Sequence, residues 1–398
     1  MSRFSDVVAA AASIDPMPLP VVDWRRIGAS APKVLDIVYG GPNGELPAAD
    51  AVVITWTAAE WSALDHVFLN SNGTRLPAAR DWQNGWYLYT RDAPAIPPEP
   101  APPQPPPTAP TSLLVANAAL AKPPGPPPPL WGLYALVEIE SKGGPMKVLL
   151  FKSNAHLAHA PGLKTLAEMT ARIISEAKPK HLYSICTAGG TRLTHKLGDV
   201  VVTYCAAIEL KNQINAGYFD WNGKTFTCRD WFPPQDRVAA AREHLFFSLT
   251  NVVTYPTLQA LVAKLHEQVP GSDSVTLNDV LNEALLPERL RMSDVLPMKD
   301  VPLLSTDYYF IADATDAEKY SFLEMDDAVL AKVCIDKGVK CAFARNISDP
   351  IVPSAGADGK SLAPEVRKRW SGLIYETYGL YTSVNGAIAT WATLAGIA

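Results

Sequence analysis

Apolar, strand-like runs alternate with helical stretches along this chain, and the alternation is the strongest constraint on its fold. DAVVITW (50–56) precedes the helical AAEWSALDHVFL, LYALVEIE and KVLLFKS form a strand-like pair, and the helical LKTLAEMTARIISEA precedes the strand-like HLYSIC. Short apolar runs of this kind form buried strands, and the helices between them connect strands of one sheet. The pattern therefore predicts an α/β fold.

The rest of the chain keeps this pattern except in one segment. KLGDVVVTYCAAIEL is expected to be one further buried strand, and a long terminal helix is expected from about Pro364 to Leu394. Residues 229–300 instead have a helical composition and lack strand signals. That segment is predicted to be a helical insertion or cap.

A proline-rich tract interrupts the first half of the chain. Residues 93–129 contain 16 of the 36 prolines, as in PAIPPEPAPPQPPP and KPPGPPPP. Proline cannot donate to a strand ladder or continue a helix, so the tract is expected to be an exposed polyproline II insertion over 93–130. Docking of a protein partner with an SH3-like groove is an alternative use of this tract.

Composition excludes several classes of partner. At 398 residues with 48% hydrophobic side chains, the chain is long enough to bury a large core. Its formal charge of −5 and the absence of a basic run argue against nucleic acid and against anionic membranes. Because the sequence has no apolar stretch of about 20 residues and no strongly basic leader, a cytoplasmic protein that does not span a membrane is expected.

Cysteine usage argues against both a disulfide framework and a zinc site. The five cysteines are odd in number and have no C-x-x-C spacing. Reduced, mostly buried thiols are the simplest interpretation. Neither a metal nor a cofactor is expected.

Polar residues follow four of the apolar strands, in ITWTAAEW, SICTAGGT, LLSTDYYF and FARNISDP. In open α/β sheets ligands bind at the carboxyl ends of strands, so these stretches are candidates for a binding site. Each also has a purely structural interpretation. TAGG is compatible with a tight bend, Glu60, Asp326 and Asp327 with first-turn helix acids, and Asp349 with turn initiation.

In combination these stretches resemble the nucleoside phosphorylase and nucleosidase superfamily, most closely its 5′-methylthioadenosine/S-adenosylhomocysteine nucleosidase branch. The similarity covers about 50–92, 131–228 and 301–398. Five ordered motifs carry it: Glu60 after the first strand, T-A-G-G at 187–190 followed by K-L-G-D at 196–199, S-T-D-Y-Y at 305–309, E-M-D at 324–326 and R-N-I-S-D at 345–349.

The resemblance implies a phosphorylase/hydrolase-like three-layer fold, with a mixed central sheet flanked by helices and an added helical insertion. Residues 1–49 would form an N-terminal extension. Residues 50–398 would form one catalytic domain, interrupted by 93–130 and 229–300. The resemblance also implies a homo-oligomer that binds a small-molecule purine nucleoside.

The implied activity is hydrolysis of the N-glycosidic bond of a purine nucleoside or a related compound. Asp349 would be the general acid toward the base, and Glu60 would activate water. Arg345 would organise the nucleophile pocket and lie nearer Glu60 than Asp349, although a structural ion pair is its alternative role. The residues assigned to substrate binding by resemblance are Thr187, Ala188, Gly189, Tyr309, Phe310, Met325, Asp326 and Ser348.

Within that set, Met325 and Asp326 would bracket the ribose. Tyr309 would stack on the base, and the main chain of Phe310 would read its edge. Aspartate at 326 departs from the family, which usually has glutamate there, and its shorter side chain puts the sugar specificity in doubt.

The nucleophile is the main mechanistic alternative. Phosphate-dependent members commonly have a glycine-rich loop with an arginine after the first strand, and ITWTAAEW has neither, which favours water. Lys152, His156 and His159 in KSNAHLAHA are a candidate phosphate site, with scattered surface histidines as the simpler interpretation. A phosphorylase and a non-catalytic nucleoside-binding sensor or scaffold therefore stay open as alternative functions.

Overall fold

The computed structural model describes residues 19, 21–26, 28–41, 43–69, 85–90, 130–159, 161–213, 219–228, 249–290, 294–309 and 317–396. The proline-rich tract (93–129) and Phe310 lie outside the described residues.

A single sheet of 13 strands forms the centre of the described part of the chain. The strands are β1 (Lys33–Val34), β2 (Ala51–Thr55), β3 (Tyr87–Thr90), β4 (Leu130–Ser141), β5 (Gly144–Ser153), β6 (His181–Gly189), β7 (Val200–Thr203), β8 (Cys205–Glu209), β9 (Thr225–Thr227), β10 (Val295–Pro297), β11 (Leu303–Thr306), β12 (Leu323–Glu324) and β13 (Lys340–Asp349).

Six α-helices accompany the sheet in the same described ranges. They are α1 (Ala58–Leu64), which continues as a π-helical turn (Asp65–Leu69), α2 (Gly162–Ala177), α3 (Tyr255–Gln268), α4 (Leu277–Val280), α5 (Asp327–Lys337) and α6 (Pro364–Ala395). None of them is both long enough and apolar enough to cross a bilayer.

The helices cover both faces of the sheet, so the fold has three layers. Along β2, Val52 and Ile54 point into a core shared with α2 and α5, whereas Ala51 and Val53 point into a second core shared with α1 and α6. This alternation follows from the two-residue period of a strand. The predicted three-layer α/β fold with a mixed central sheet is confirmed.

Four strands run parallel where the polar stretches end. Strand β2 pairs in parallel with β5 and β6, and β6 pairs in parallel with β13. Their carboxyl ends therefore lie along one edge of the sheet. Strand β11 pairs in parallel with β12, and β12 contacts the end of β6 at Gly189, which brings the E-M-D motif to the same edge.

Two strand expectations are corrected by the structure. KLGDVVVTYCAAIEL is not one strand, because it breaks at Tyr204 into β7, which pairs with β13, and β8, which pairs with β11 and β9. Within 229–300 the structure contains not only α3 and α4 but also β10, which pairs in parallel with β7. A three-residue strand within a mostly polar stretch gives little periodic signal.

The cysteine expectation is also wrong for one pair. Cys228 and Cys341 form a disulfide across 113 residues of sequence. Cys228 follows edge strand β9 and Cys341 lies near the start of β13. Sequence spacing could not reveal this contact because it is created by the sheet. The other three cysteines are free and buried, as expected (Cys186, Cys205 and Cys334).

Helix α6 supports the strand that carries the R-N-I-S-D motif. The Asn346 side chain of β13 lies 2.9 Å from the Thr382 hydroxyl of α6, and both residues are fully buried. Gly386 permits this approach, because a Cβ atom there would lie 2.8 Å from Asn346 Oδ1 and 3.4 Å from Ile185 Cδ1. The terminal helix matches its predicted extent closely.

Substituting Gly386→Ala should therefore destabilise the fold by about 1–3 kcal/mol, because the added methyl group overpacks the interface between α6 and β13. Urea unfolding of the purified protein measures this effect. Gly372→Ala is the matched control in the same helix. Its Cβ would meet only the mobile end of Arg369, and alanine favours helix, so stability should stay equal or rise. Equal midpoints for both variants would contradict the packing argument.

Candidate active site

A pocket of about 160 Å³ lies at the carboxyl ends of the parallel strands. Its walls come from the ends of β6 and β13, the segment after β11, the start of α5, the loop after β5 and Ser371 of α6. The sequence-predicted site residues that line it are Thr187, Ala188, Gly189, Tyr309, Met325, Asp326, Arg345 and Asp349. Glu60 and Ser348 are not part of this lining.

Asp349 ends β13 and presents a free carboxyl oxygen. Its Oδ1 atom is buried without a hydrogen-bond partner. Burial raises the pKa of Asp349 to about 7, an effect that the Ser348 hydroxyl partly opposes. Among the described residues no cation forms an ion pair with it. Asp349 can therefore hold a proton near neutral pH and donate it to a bound molecule.

Arg345, four residues earlier, is fully buried and paired with two acids. Its Nε donates to Asp327 Oδ2 at 2.8 Å, and its Nη2 contacts Asp327 Oδ1 and, at 3.2 Å, Glu324 Oε2. The Trp56 ring lies 5.1 Å from the guanidinium carbon, so this tryptophan packs over the arginine. Nη1 has no partner in the structure, which leaves two N–H groups for a ligand or water.

The charge of Glu60 also acts on Arg345. Burial lowers the pKa of the Arg345 guanidinium to about 9, and Glu60 opposes that shift.

Three acids crowd the start of α5. Glu324 accepts from the backbone N–H of Asp326 and Asp327 and from the Ser305 hydroxyl. Burial, with the neighbouring charge of Asp326, raises the pKa of Glu324 to about 8. Burial likewise raises the pKa of Asp326 to about 8 and that of Asp327 well above its usual range. Because three buried carboxyl groups lie close together, the cluster binds protons readily.

His156 belongs to the pocket, although the sequence favoured a surface position. It follows β5, and its Nε2 atom lies 3.5 Å from Asp326 Oδ2. Burial lowers the pKa of His156 to about 4, so the ring is neutral. Its neighbour His159 is exposed and does not line the pocket. The rule that ligands bind at strand carboxyl ends, applied to β5, would have singled out His156.

Glu60 lies behind the pocket and caps α1. The backbone N–H groups of Trp56 and Thr57 donate to its Oε2 atom at 3.1 and 2.8 Å, and the Thr55 hydroxyl does so at 2.9 Å. The N–H and hydroxyl of Thr187 donate to Oε1 at 2.8 and 2.7 Å. Glu60 thus joins the first two polar motifs, and Thr57 and Thr187 separate it from the pocket.

Tyr309 joins the segment after β11 to α6. The residue is 47% exposed, and its hydroxyl donates to Ser371 at 3.0 Å. Tyr308 also lines the pocket, and its hydroxyl donates to Glu209 at 2.6 Å. An exposed ring at the pocket wall suits stacking against a planar group.

Asp307, between Thr306 and Tyr308, has a structural role. Its carboxylate accepts from three successive backbone N–H groups of the loop after β8, at 2.6–2.8 Å (Lys211, Asn212 and Gln213). Within the described ranges no group of three or more His, Cys, Asp or Glu side chains is arranged to bind a metal ion.

Comparison with known proteins gives structural matches alone. Neither a family model nor a curated protein matches the chain. A 5′-methylthioadenosine/S-adenosylhomocysteine nucleosidase from Neisseria meningitidis, solved with methylthio-immucillin-A, matches at 12% identity and a TM-score of 0.40, over 87% of this chain and 99% of its own.

Two further solved structures match at similar levels. The S-adenosylhomocysteine nucleosidase of Streptococcus pyogenes matches at 11% identity and a TM-score of 0.40, over 88% of this chain and 98% of its own. The futalosine hydrolase of Helicobacter pylori matches at 12% identity and a TM-score of 0.34, over 76% of this chain and 88% of its own. The chain is similar to these nucleosidases at low identity. Its activity has to be derived from its own residues.

Glu60→Gln should lower the free energy of unfolding by about 1–3 kcal/mol, because an amide NH2 would face N–H and O–H donors that now bind a carboxylate oxygen. The midpoint of urea unfolding measures this loss. Glu168→Gln on α2 is the control. Glu168 is half-buried, with 39% of its side chain exposed, and it lies 3.9 Å from Lys164, so its replacement should change stability by less than about 0.5 kcal/mol. An unchanged midpoint for Glu60→Gln would show that its hydrogen bonds do not stabilise the fold.

Proposed function

We propose that the chain is a purine nucleosidase that hydrolyses the N-glycosidic bond of a purine nucleoside or a related compound. The observation that carries the proposal is the state of Asp349. It is a carboxyl group at a strand end, with one buried unpartnered oxygen in the pocket and a pKa raised to about 7. Cleavage of this bond needs an acid that protonates the departing base, and Asp349 has the required protonation state.

The purine base binds on the side of the pocket that Asp349 and Tyr309 line. Asp349 donates its proton to N7 of the purine, which lets the base leave with the electrons of the C1′–N9 bond. Tyr309 stacks on the base. Met325 and Asp326 contact the ribose, the thioether against its ring and the carboxyl group on a hydroxyl. The glycines after Thr187 let the main chain approach the ligand closely.

The attacking water lies on the face of the ribose opposite to the departing base. The free Nη1 of Arg345 holds the water, whose oxygen attacks C1′ as the base departs. The proton that the water loses passes to the Thr187 hydroxyl, and Thr187 gives its own proton to Glu60 Oε1 at 2.7 Å. Glu60 thereby acts as the base through Thr187, which lies between it and the pocket. The products are the free base and the free sugar.

Charge favours water over phosphate as the nucleophile. The pocket lining contains three acids and one buried cation, which is Arg345 and already contacts Asp327 and Glu324. Lys152 donates to the Ser153 carbonyl at 2.7 Å and does not line the pocket. A phosphate dianion at Nη1 would compete with these two acids for the same cation, whereas neutral water would not. The homo-oligomer and the cytoplasmic location stay predictions.

Asp349→Asn should reduce kcat for base release by about 10²–10⁴-fold, because an amide cannot deliver the proton. Free base is quantified by chromatography after incubation with a panel of purine nucleosides, with and without phosphate. We expect release from the unmodified protein to be the same in both conditions. Phosphate-dependent release would support the phosphorylase alternative, and nucleoside binding without any release would support the sensor alternative.

Two controls accompany this variant. Asp358→Asn changes an exposed aspartate that pairs with Lys360 and should leave release unchanged. The melting temperature of Asp349→Asn should stay at or above that of the unmodified protein, because the substitution removes a buried ionisable group. Full activity in a folded Asp349→Asn protein would remove Asp349 from the mechanism.

The pH dependence of kcat/KM should follow Asp349. The acid must be protonated to act, and its pKa is about 7 in the free protein, so kcat/KM should fall about tenfold per pH unit above that value. Rates of base release between pH 5 and 9 measure this limb. If the residual activity of Asp349→Asn still falls above the same pH, a group other than Asp349 causes the loss of activity at alkaline pH.

A further inference from the structure

We propose that His156 and Asp326 together bind one hydroxyl group of the substrate ribose, so that His156 helps to distinguish ribonucleosides from their deoxy counterparts. This inference rests on the proposed function for the identity of the ligand. The position of the hydroxyl group is inferred from the geometry of the His156 and Asp326 side chains.

The protonation of the His156 ring is set by its own loop. The backbone N–H of Ala158 donates to Nδ1 at 3.1 Å. Nδ1 is therefore the unprotonated nitrogen, and in the neutral ring Nε2 carries the hydrogen. Nε2 is the atom that faces Asp326. The ring presents one N–H donor to the pocket.

The two oxygens of Asp326 differ in their contacts. Oδ1 accepts from the Leu157 backbone N–H at 2.8 Å, which fixes the carboxyl group against the loop after β5. Oδ2 lies 3.5 Å from His156 Nε2, which is beyond the usual length of an N–H···O hydrogen bond. A donor and an acceptor thus lie side by side at the pocket wall without a close bond between them.

A hydroxyl group fits this pair because it accepts and donates at once. It can accept from Nε2–H and donate to an ionised Oδ2. Where Asp326 holds a proton, the hydroxyl oxygen accepts from both side chains and keeps the same place. Loss of that hydroxyl would leave the His156 N–H and the buried Oδ2 of Asp326 facing each other without a close partner, which is the condition for discrimination against an analogue that lacks it.

A phosphate group fits the same pair poorly. The His156 ring is neutral, and its N–H points toward a carboxyl group. Lys152, the nearest cation in sequence, is engaged with the Ser153 carbonyl. An anion at this position would lose its hydration with no cation beside it in compensation, so the position favours a neutral group.

His156→Phe tests the proposal. Base release is measured for a purine ribonucleoside and for its 2′-deoxy and 3′-deoxy counterparts, each with and without inorganic phosphate. In the unmodified protein one deoxy analogue should have a kcat/KM about 10–100-fold below that of the ribonucleoside. In His156→Phe the ribonucleoside should lose most of that advantage, while the deoxy analogue keeps its rate. His156→Gln, which retains an N–H donor, should restore part of the discrimination.

His159→Phe is the matched control, because its ring lies 5.4 Å from that of His156 and outside the pocket. It should leave the discrimination unchanged. Equal losses for all three substrates in His156→Phe would indicate a structural role and overturn the proposal, as would a phosphate-dependent rate that disappears in that variant.

Failure of the proposed function would be recognised separately. If the unmodified protein releases no base, thermal stabilisation by the ribonucleoside and by the two deoxy analogues replaces the rates. Stronger stabilisation by the ribonucleoside, lost in His156→Phe and kept in His159→Phe, would support the hydroxyl site without catalysis. Equal stabilisation by all three, or by none, would overturn it.

Discussion

The buried guanidinium of Arg345 is the group on which the site depends. A cation withdrawn from water needs acids and hydrogen-bond acceptors around it, since its desolvation would otherwise cost several kcal/mol. Asp327 at the start of α5, Glu324 at the end of β12 and Ser184 in β6 supply them. Because these partners come from three elements, the two ion pairs hold β13 against β12 and α5, and the hydrogen bond to Ser184 ties it to β6. Trp56, which directly follows β2, packs over the same guanidinium.

Burial is the main cause of the raised pKa values of the acids around Arg345. Asp326 lies beside these acids without its own cation, and burial raises its pKa to about 8. Asp349 lies on the same strand as Arg345 but outside its ion pairs, and its pKa is raised to about 7. Glu60, by contrast, receives donors at both oxygens. The acid and the base of the proposed mechanism therefore occupy different environments: Asp349 lies at the end of β13 with a raised pKa, whereas Glu60 lies behind Thr187 and accepts several hydrogen bonds.

Local signals made much of this architecture predictable, whereas long-range contacts hid the rest. The apolar periods located β2, β6, β13 and α6. Gly338, with its positive φ of 69°, ends α5. The pairing of Asp327 with Arg345 was not predictable, because a first-turn acid looks the same whether or not a cation lies across the sheet from it. The break at Tyr204 and the Cys228–Cys341 bond have the same cause, since each depends on which strands become neighbours.

Aspartate at 326 is where sequence and family resemblance disagree, and the structure gives the shorter side chain a physical context. Its Oδ1 atom is tied to the Leu157 N–H, so the carboxyl group is held against the loop after β5. That loop brings the neutral ring of His156 to Oδ2. The short carboxyl group is thus held beside the ring, and in the proposed site recognition of the hydroxyl is divided between the side chains of Asp326 and His156.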